Sequence, residues 1–218
     1  MQVLSVNTGK LEPLANAKTA SLTGIYKRTL TGAVAIKTEG VGDDAIGDSR
    51  YHGGADQAVY LYGQPDYVWW EASLGQPLAP GTFGENLTLS DYESAHGVIG
   101  DRFHIGEVTL EVTYPRVPCG TLSSRMGDTA FLKKFKNAER PGVYCRVIRS
   151  GMVQAGDAVR YEAYTGGDKV TILELYRDAF KPAKDVATLR RHLASPLASR
   201  TRIDKEKLLA EIEAGGKK

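Results

Sequence analysis

Cysteine is scarce in this chain of 218 residues, and its two copies, Cys119 and Cys145, stand far apart. Two thiols so placed give no disulfide framework, no paired zinc-ligand spacing and no iron-sulfur cluster needing four cysteines. Long apolar runs are missing as well. No stretch of about 20 apolar residues offers a membrane span, and the start MQVLSVNTGK lacks the cationic and apolar pattern of a secretory leader. A cytoplasmic protein is expected. There is no Rossmann glycine fingerprint, no internal repeat, and no low-complexity segment beyond the terminal GGKK. Charge of one sign is also lacking, since 28 Lys and Arg stand against 26 Asp and Glu for a net +2. From residue 165 onward twelve Lys and Arg face eight Asp and Glu, a bias that suits solvated helix faces better than a nucleic-acid surface, which carries a denser basic patch. Arg190, Arg191 and His192 are the residues a nucleic acid would meet if it bound there.

What is present is a series of short β-like runs broken by glycine. VLSV, GAVAIK, AVYLY, NLTLS, EVTLEVTY, GVYCRVI and DAVRYEAY alternate apolar and polar residues between Gly, Asp and Pro, the pattern of a barrel or sandwich and not of a βαβ repeat. Two segments in this part read as helices. PDYVWWEASLG opens on proline and an acidic residue and closes on Gly75, and DTAFLKKFKNA carries Phe131, Leu132 and Phe135 at helical spacing. After YTGGDK the period changes: VTILELYRDAF, DVATLRRHLAS and DKEKLLAEIEAG each place apolar residues three and four apart. Asp185 and Asp204 are the expected N-caps, and Gly166-Gly167 the expected hinge. The chain is therefore read as a mainly β domain over 1–165 with helices at its periphery, followed by a small three-helix domain over 166–218.

Three clusters could carry chemistry. In YPRVPCGTL the prolines at 115 and 118 stiffen a non-helical arm that ends on Cys119, with Arg116 three residues before it. A nearby guanidinium favours the thiolate, which attacks electrophiles and binds soft metals, whereas most free cysteines only fill space. Both readings of Cys119 stay open on spacing alone, while Cys145 alternates inside an apolar run and reads as core. In SRYHGGADQAVYLY, His52 and Arg50 sit beside Gly53 and Gly54, whose freedom permits a sharp turn or close approach to a ligand. In GTFGENLTL, Asn86 enters a strand from a polar loop, where it either bonds the backbone or meets a ligand.

The order and wording of these pieces resemble a known family. TGIYKR, HGGADQAVYLY, YVWWEASLG, GTFGENLT, VIGDRFHIGEVTLEVTYPRVPCGTL and ERPGVYCRV are similar to the successive signatures of MOSC domains, the C-terminal domain of molybdenum cofactor sulfurases, and especially to the stand-alone bacterial YiiM type. The resemblance covers nearly the whole chain, helical tail included. It implies a MOSC-type β-barrel that binds molybdenum cofactor (molybdopterin-bound molybdenum), with Cys119 as metal ligand. It further implies that Arg116 and Lys27 are cationic partners of the pterin's phosphate, and that His52, Arg50, Gly53, Gly54 and Asn86 line the pocket, with His52 beside Cys119 as the second catalytic candidate. Relatives often read Gln-Pro-Arg-x-Pro-Cys-x-Lys-Leu. Here Tyr114 replaces the glutamine, Thr121 the lysine, and Gln57 a lysine of the glycine turn.

The YiiM type is associated with reductive detoxification of N-hydroxylated bases such as 6-hydroxylaminopurine, so the resemblance implies an oxidoreductase acting on a small N-hydroxylated molecule. Without a dinucleotide fingerprint or a four-cysteine set, its electrons would come from a separate flavin or iron-sulfur protein. The alternative is a carrier or sulfur-transfer module in which Cys119 holds cofactor or a persulfide. Sulfur transfer from cysteine itself would require a pyridoxal-phosphate lysine domain, for which 218 residues leave no room. No membrane is expected as a partner, and a nucleic acid is disfavoured. The oligomeric state stays open, a homodimer included.

Overall fold

Glycine punctuation and period-two alternation produce thirteen strands and six helices in a computed structural model that describes residues 1–17, 21–48 and 52–215. Strand β1 (Val3–Thr8) is followed by the short β2 (Glu12–Pro13), β3 (Leu22–Thr23), β4 (Arg28–Thr29), β5 (Val34–Lys37) and β6 (Gly40–Val41). β7 (Val59–Gly63) runs directly into helix α1 (Gln64–Leu74), after which come β8 (Leu87–Leu89), β9 (Arg102–Ile105) and β10 (Val108–Pro115). Helices α2 (Gly120–Met126) and α3 (Phe131–Ala138) precede β11 (Val143–Arg149), β12 (Gly151–Val153) and β13 (Val159–Glu162). The chain ends in α4 (Ile172–Phe180), α5 (Val186–Ala194) and α6 (Ser199–Gly215).

Eight strands form one sheet in the order β13-β9-β10-β11-β7-β8-β1-β4, and the pairing of β7 with β8 is parallel. Among the described residues no continuous ladder closes this sheet into a complete barrel. The second edge of β1 is instead shared. Its C-terminal half pairs with β4, and near its start Gln2 makes a single bridge to Ala158 while Val3 N–H donates to Asp157 O at 2.9 Å. Gly156 N–H also donates to Val3 O at 2.8 Å, and Val159 N–H, at the head of β13, donates to Met1 O at 3.0 Å, so the start of β1 lies against the start of β13 while β13 pairs along its length with β9.

Strand β7 is buried along its whole length because the two faces of VYLYG enter two different cores. Val59 and Leu61 join an aliphatic core with Val6, Leu87, Leu110 and Val143. Tyr60 and Tyr62 point the other way into an aromatic layer with Tyr67, Trp70, Phe83, Phe131 and Phe135 beneath α1, α2 and α3. The polar tips in this layer are satisfied: Tyr60 Oη donates to Pro141 O at 2.8 Å, Tyr62 Oη to Arg140 O at 2.7 Å, and Trp70 Nε1 to Tyr62 Oη at 2.9 Å.

The peripheral helices fall where their periodicity places them. Gly75 closes α1 at φ 69°, and Phe131 and Phe135, one turn apart, bury the inner face of α3. Asp185 caps α5 by accepting the Thr188 N–H at 2.8 Å. Asp204, the expected cap of the last helix, lies inside α6, which starts five residues earlier at Ser199. Its first N–H is capped from elsewhere in the fold, by Asp56 at 2.6 Å. The tail shares the cores of the strands: Val170, Ile172, Leu175 and Leu197 belong to the aliphatic core and Tyr176 to the aromatic one. An engineered protease site between Gly166 and Gly167, once cut, is therefore expected to leave two fragments that co-elute on gel filtration. Separation without denaturant would contradict the shared cores.

Candidate functional site

Strand β10 ends on Pro115, still paired with Val143 of β11, and the next four residues carry the chain away from the sheet. Arg116 is the first of them. It is only 5% exposed, and its guanidinium lies 5.6 Å from the ring centres of both Tyr60 and Phe135. It also hydrogen-bonds Tyr144. Its Nη1 is buried without a hydrogen-bond partner. Nearby Tyr60, Cys119, Tyr144 and Tyr62 are the groups whose charge acts on it most strongly after the cost of burial. Burial pushes the pKa of each of these three tyrosines up, so they stay neutral. Only Cys119 among these four can be an anion at neutral pH.

Cys119 occupies the N-cap of α2, in an extended conformation, with its backbone carbonyl accepting the Leu122 N–H at 3.0 Å. The helix was not expected from sequence, because GTLSSRM shows little apolar periodicity and follows two prolines. The thiol is half-buried. Burial alone would raise its pKa, but a hydrogen bond from His52 and the Arg116 charge outweigh that and bring it down to about 6. Cys145 is the opposite case. It is fully buried on β11 in the aliphatic core, and burial pushes its thiol well up.

His52 reaches Cys119 from the glycine turn. Gly53 has φ 76°, and a Cβ there would stand 2.2 Å from Ile46 Cδ1, so the turn beside the thiol requires glycine. Gly54, at φ 84°, faces open space and opens the 3-10 turn Ala55–Gln57. In that turn Gln57 Oε1 is buried with no partner, and so is Ser123 Oγ, one helical turn after Cys119. Arg50 lies outside the described residues.

Lys27 and Asn86 come to the site indirectly. Lys27 Nζ is held by both oxygens of Asp44 at 2.5 Å, and burial lowers its pKa despite that partner. Asp44 also accepts from Asn86 Nδ2 at 2.9 Å, and Asn86 Oδ1 accepts the Tyr60 N–H at 3.0 Å. Asn86 is thus bound to backbone and to the Lys27–Asp44 pair, and together they fix the tyrosine under Arg116. Lys27 is a neutralised cation, and Arg116 is a cation with no hydrogen-bonded carboxylate among the described residues. Arg190, Arg191 and His192 are committed to Glu213 and Glu174.

Sequence reasoning did not pick out Tyr60, Phe135 or Tyr144, the bed of Arg116. The alternation of AVYLY marks Tyr60 and Tyr62 as sharing a face, but only the fold shows what lies on it. Among the described residues no three His, Cys, Asp or Glu side chains converge on a point that could hold a metal. A metal here would have to arrive with ligands of its own, and a single soft thiolate is then a fitting addition. The unpartnered Nη1 and the buried acceptors suit an anionic, hydrogen-bonding molecule.

A family model described as MOSC domain matches residues 48–160, a span that includes Cys119, Arg116 and His52. The Bacillus subtilis protein YflK, described as uncharacterized, is 33% identical over 90% of this chain and 89% of its own length. A Gibberella moniliformis protein called "Reductase" is 35% identical over 62% of this chain, which spans 25% of that protein. The crystal structure of YiiM from Geobacillus stearothermophilus superposes with a TM-score of 0.77 over 95% of this chain and 98% of the other, at 24% identity.

Alkylation of the protein by iodoacetamide should modify Cys119 alone and reach half its plateau rate near pH 6, where an unperturbed thiol does so near about 8.5. The depressed pKa means that the reactive thiolate is already formed at pH 7 and is lost as pH falls through 6. His52→Ala should move the midpoint upward. A midpoint near that of an ordinary thiol in the wild type would contradict the geometry.

Proposed function

Because the chain belongs to the MOSC domain family, we propose that it binds molybdenum cofactor and reduces small N-hydroxylated molecules such as 6-hydroxylaminopurine, with Cys119 as a ligand of the metal. The observation that carries this reading is the pairing of a buried arginine, whose Nη1 has no hydrogen-bond partner, with a thiol whose pKa is brought down to about 6. An anionic cofactor with a phosphate supplies what Arg116 lacks, and a soft metal already chelated by the pterin's sulfurs supplies what the thiolate lacks. When bound, the cofactor supplies a two-electron redox centre for cleaving the N–O bond. The balanced reaction takes an N-hydroxylamine, two electrons and two protons to the amine and water.

The chain's own residues have separable tasks. Cys119 donates its sulfur from a fixed position at the head of α2, since the proline-flanked arm and the helix allow it little swing. Arg116 holds the anion, and its aromatic bed keeps the guanidinium from turning away. His52 orients the thiolate by its hydrogen bond and is the group placed to pass a proton beside it. Gly53 and Gly54 let the turn approach the bound molecule closely. Lys27, matched by Asp44, acts through Asn86 and Tyr60. Electrons come from a separate flavin or iron-sulfur protein. The fungal protein bearing the name Reductase lends support, although this chain spans a quarter of it.

The test is elemental and kinetic: protein purified from cells that make the cofactor is analysed for molybdenum and assayed on N-hydroxylated purines with a reduced dye. Bound molybdenum and turnover are expected. Molybdenum without turnover would favour a carrier, and neither would refute the reading. Cys119→Ser should fold normally and lose turnover, because serine is nearly isosteric but a poor ligand for a soft metal. His52→Ala should weaken molybdenum retention about 10- to 100-fold, the usual cost of losing a group that orients a ligand.

A further inference from the structure

The segment just before and at the start of α6 touches both parts of the chain that carry the site. On one side, Asp56, in the turn four residues after His52, accepts the Ser199 N–H through Oδ2 at 2.6 Å. Its Oδ1 meets Arg146 Nη2 at 2.9 Å, and the same Nη2 donates to Leu197 O at 2.8 Å. On the other side, Ala198 N–H donates to Thr113 O at 3.2 Å, and the Tyr114 hydroxyl hydrogen-bonds the Thr201 side chain. Thr113 and Tyr114 lead directly into Arg116 and Cys119. The two sides are also tied to each other, because Thr113 Oγ1 donates to Asp56 O at 2.6 Å.

We propose that Asp56 is a positioning residue through which the start of α6 holds the glycine turn of His52 and the arm of Cys119 in one register. This rests on the reading that Cys119 and His52 form the site. The carboxylate serves as the N-terminal cap of α6 from 143 residues away, so the cap closes only when the turn is in place. Burial raises the Asp56 pKa, but the Ser199 N–H and Arg146 outweigh it and hold the carboxyl below its usual range, so the charged cap persists at neutral pH. A helix that began at Asp204 could have been capped by its own chain. Starting at Ser199 it borrows its cap from the site, and the helical tail thereby becomes part of the site's support.

Hydrogen exchange on the full chain separates positioning from simple stability. In Asp56→Ala, amides of residues 53–58 and 119–123 should exchange about tenfold faster, the effect of losing one cap, while β9 and β11 change far less. Ser199→Pro is the independent variant. Proline is tolerated at the first helical position, so this change deletes the donor and leaves Asp56 and the rest of α6 intact. It should open the same two segments, and Asp56→Asn, which keeps an acceptor oxygen, should partly restore them. An equal rise in exchange across all strands, or no rise in residues 53–58 and 119–123 in Ser199→Pro, would overturn the proposal. Failure of the wild type to bind molybdenum would instead count against the cofactor reading and leave this coupling standing.

Discussion

The interaction on which the rest of the site depends is the burial of the Arg116 guanidinium without a carboxylate. Withdrawing such a charge from water costs several kcal/mol, and a fold that met the cost with an aspartate would have no use for a ligand there. This one uses two ring faces, each worth about 2 kcal/mol when desolvated, and a thiolate that is itself half-buried. One nitrogen is left with nothing. Beyond the thiolate, no carboxylate among the described residues matches this charge, a local cost in stability of the kind that binding sites carry. The same charge lowers the thiol's pKa, and in the proposed function the two groups would meet a ligand that is anionic at one end and a soft metal at the other.

The scaffold explains why that cation cannot relax. Tyr60 is fixed at its hydroxyl by Pro141 and at its amide by Asn86, which Lys27 and Asp44 hold in turn. Phe135 is locked by its stack on Trp70, with ring centres 5.8 Å apart. Both rings belong to the aromatic layer that the outer face of β7 creates, while its inner face anchors the sheet. Rigid elements placed on both sides of the arm are what allow a short irregular segment to hold the Cys119 sulfur to within a fraction of an ångström.

Much of this was legible in the sequence where physics is local. Glycine at 75 and aspartate at 185 announce helix ends by their own conformational and capping preferences, and the strands follow from alternation. The proline-flanked arm, Cys119 at its end and Cys145 in a strand could be read in the same way. What could not be read depends on distant partners. Helix α2 forms after two prolines because Leu122 docks in the aromatic layer, not because its sequence is strongly helical. Helix α6 begins at Ser199 because Asp56 caps it across the fold. The neutralisation of Lys27 and the isolation of Arg116 have no signature in the spacing of either residue. How the start of β1 meets the start of β13, through the bridge of Gln2 to Ala158 and the bond from Gly156 N–H to Val3 O, is likewise a matter of distant partners that alternation does not report.

The central claim is that the Cys119 sulfur is a ligand of the bound cofactor. Its most direct test is the alkylation rate of Cys119 in cofactor-loaded protein and in the same protein after the cofactor has been stripped under conditions that preserve the fold. The account predicts that Cys119 resists the reagent when loaded and becomes reactive when stripped, with Cys145 silent in both. Equal, rapid modification of Cys119 in the two states would show that the sulfur is free while the cofactor is bound, and the assignment would be wrong.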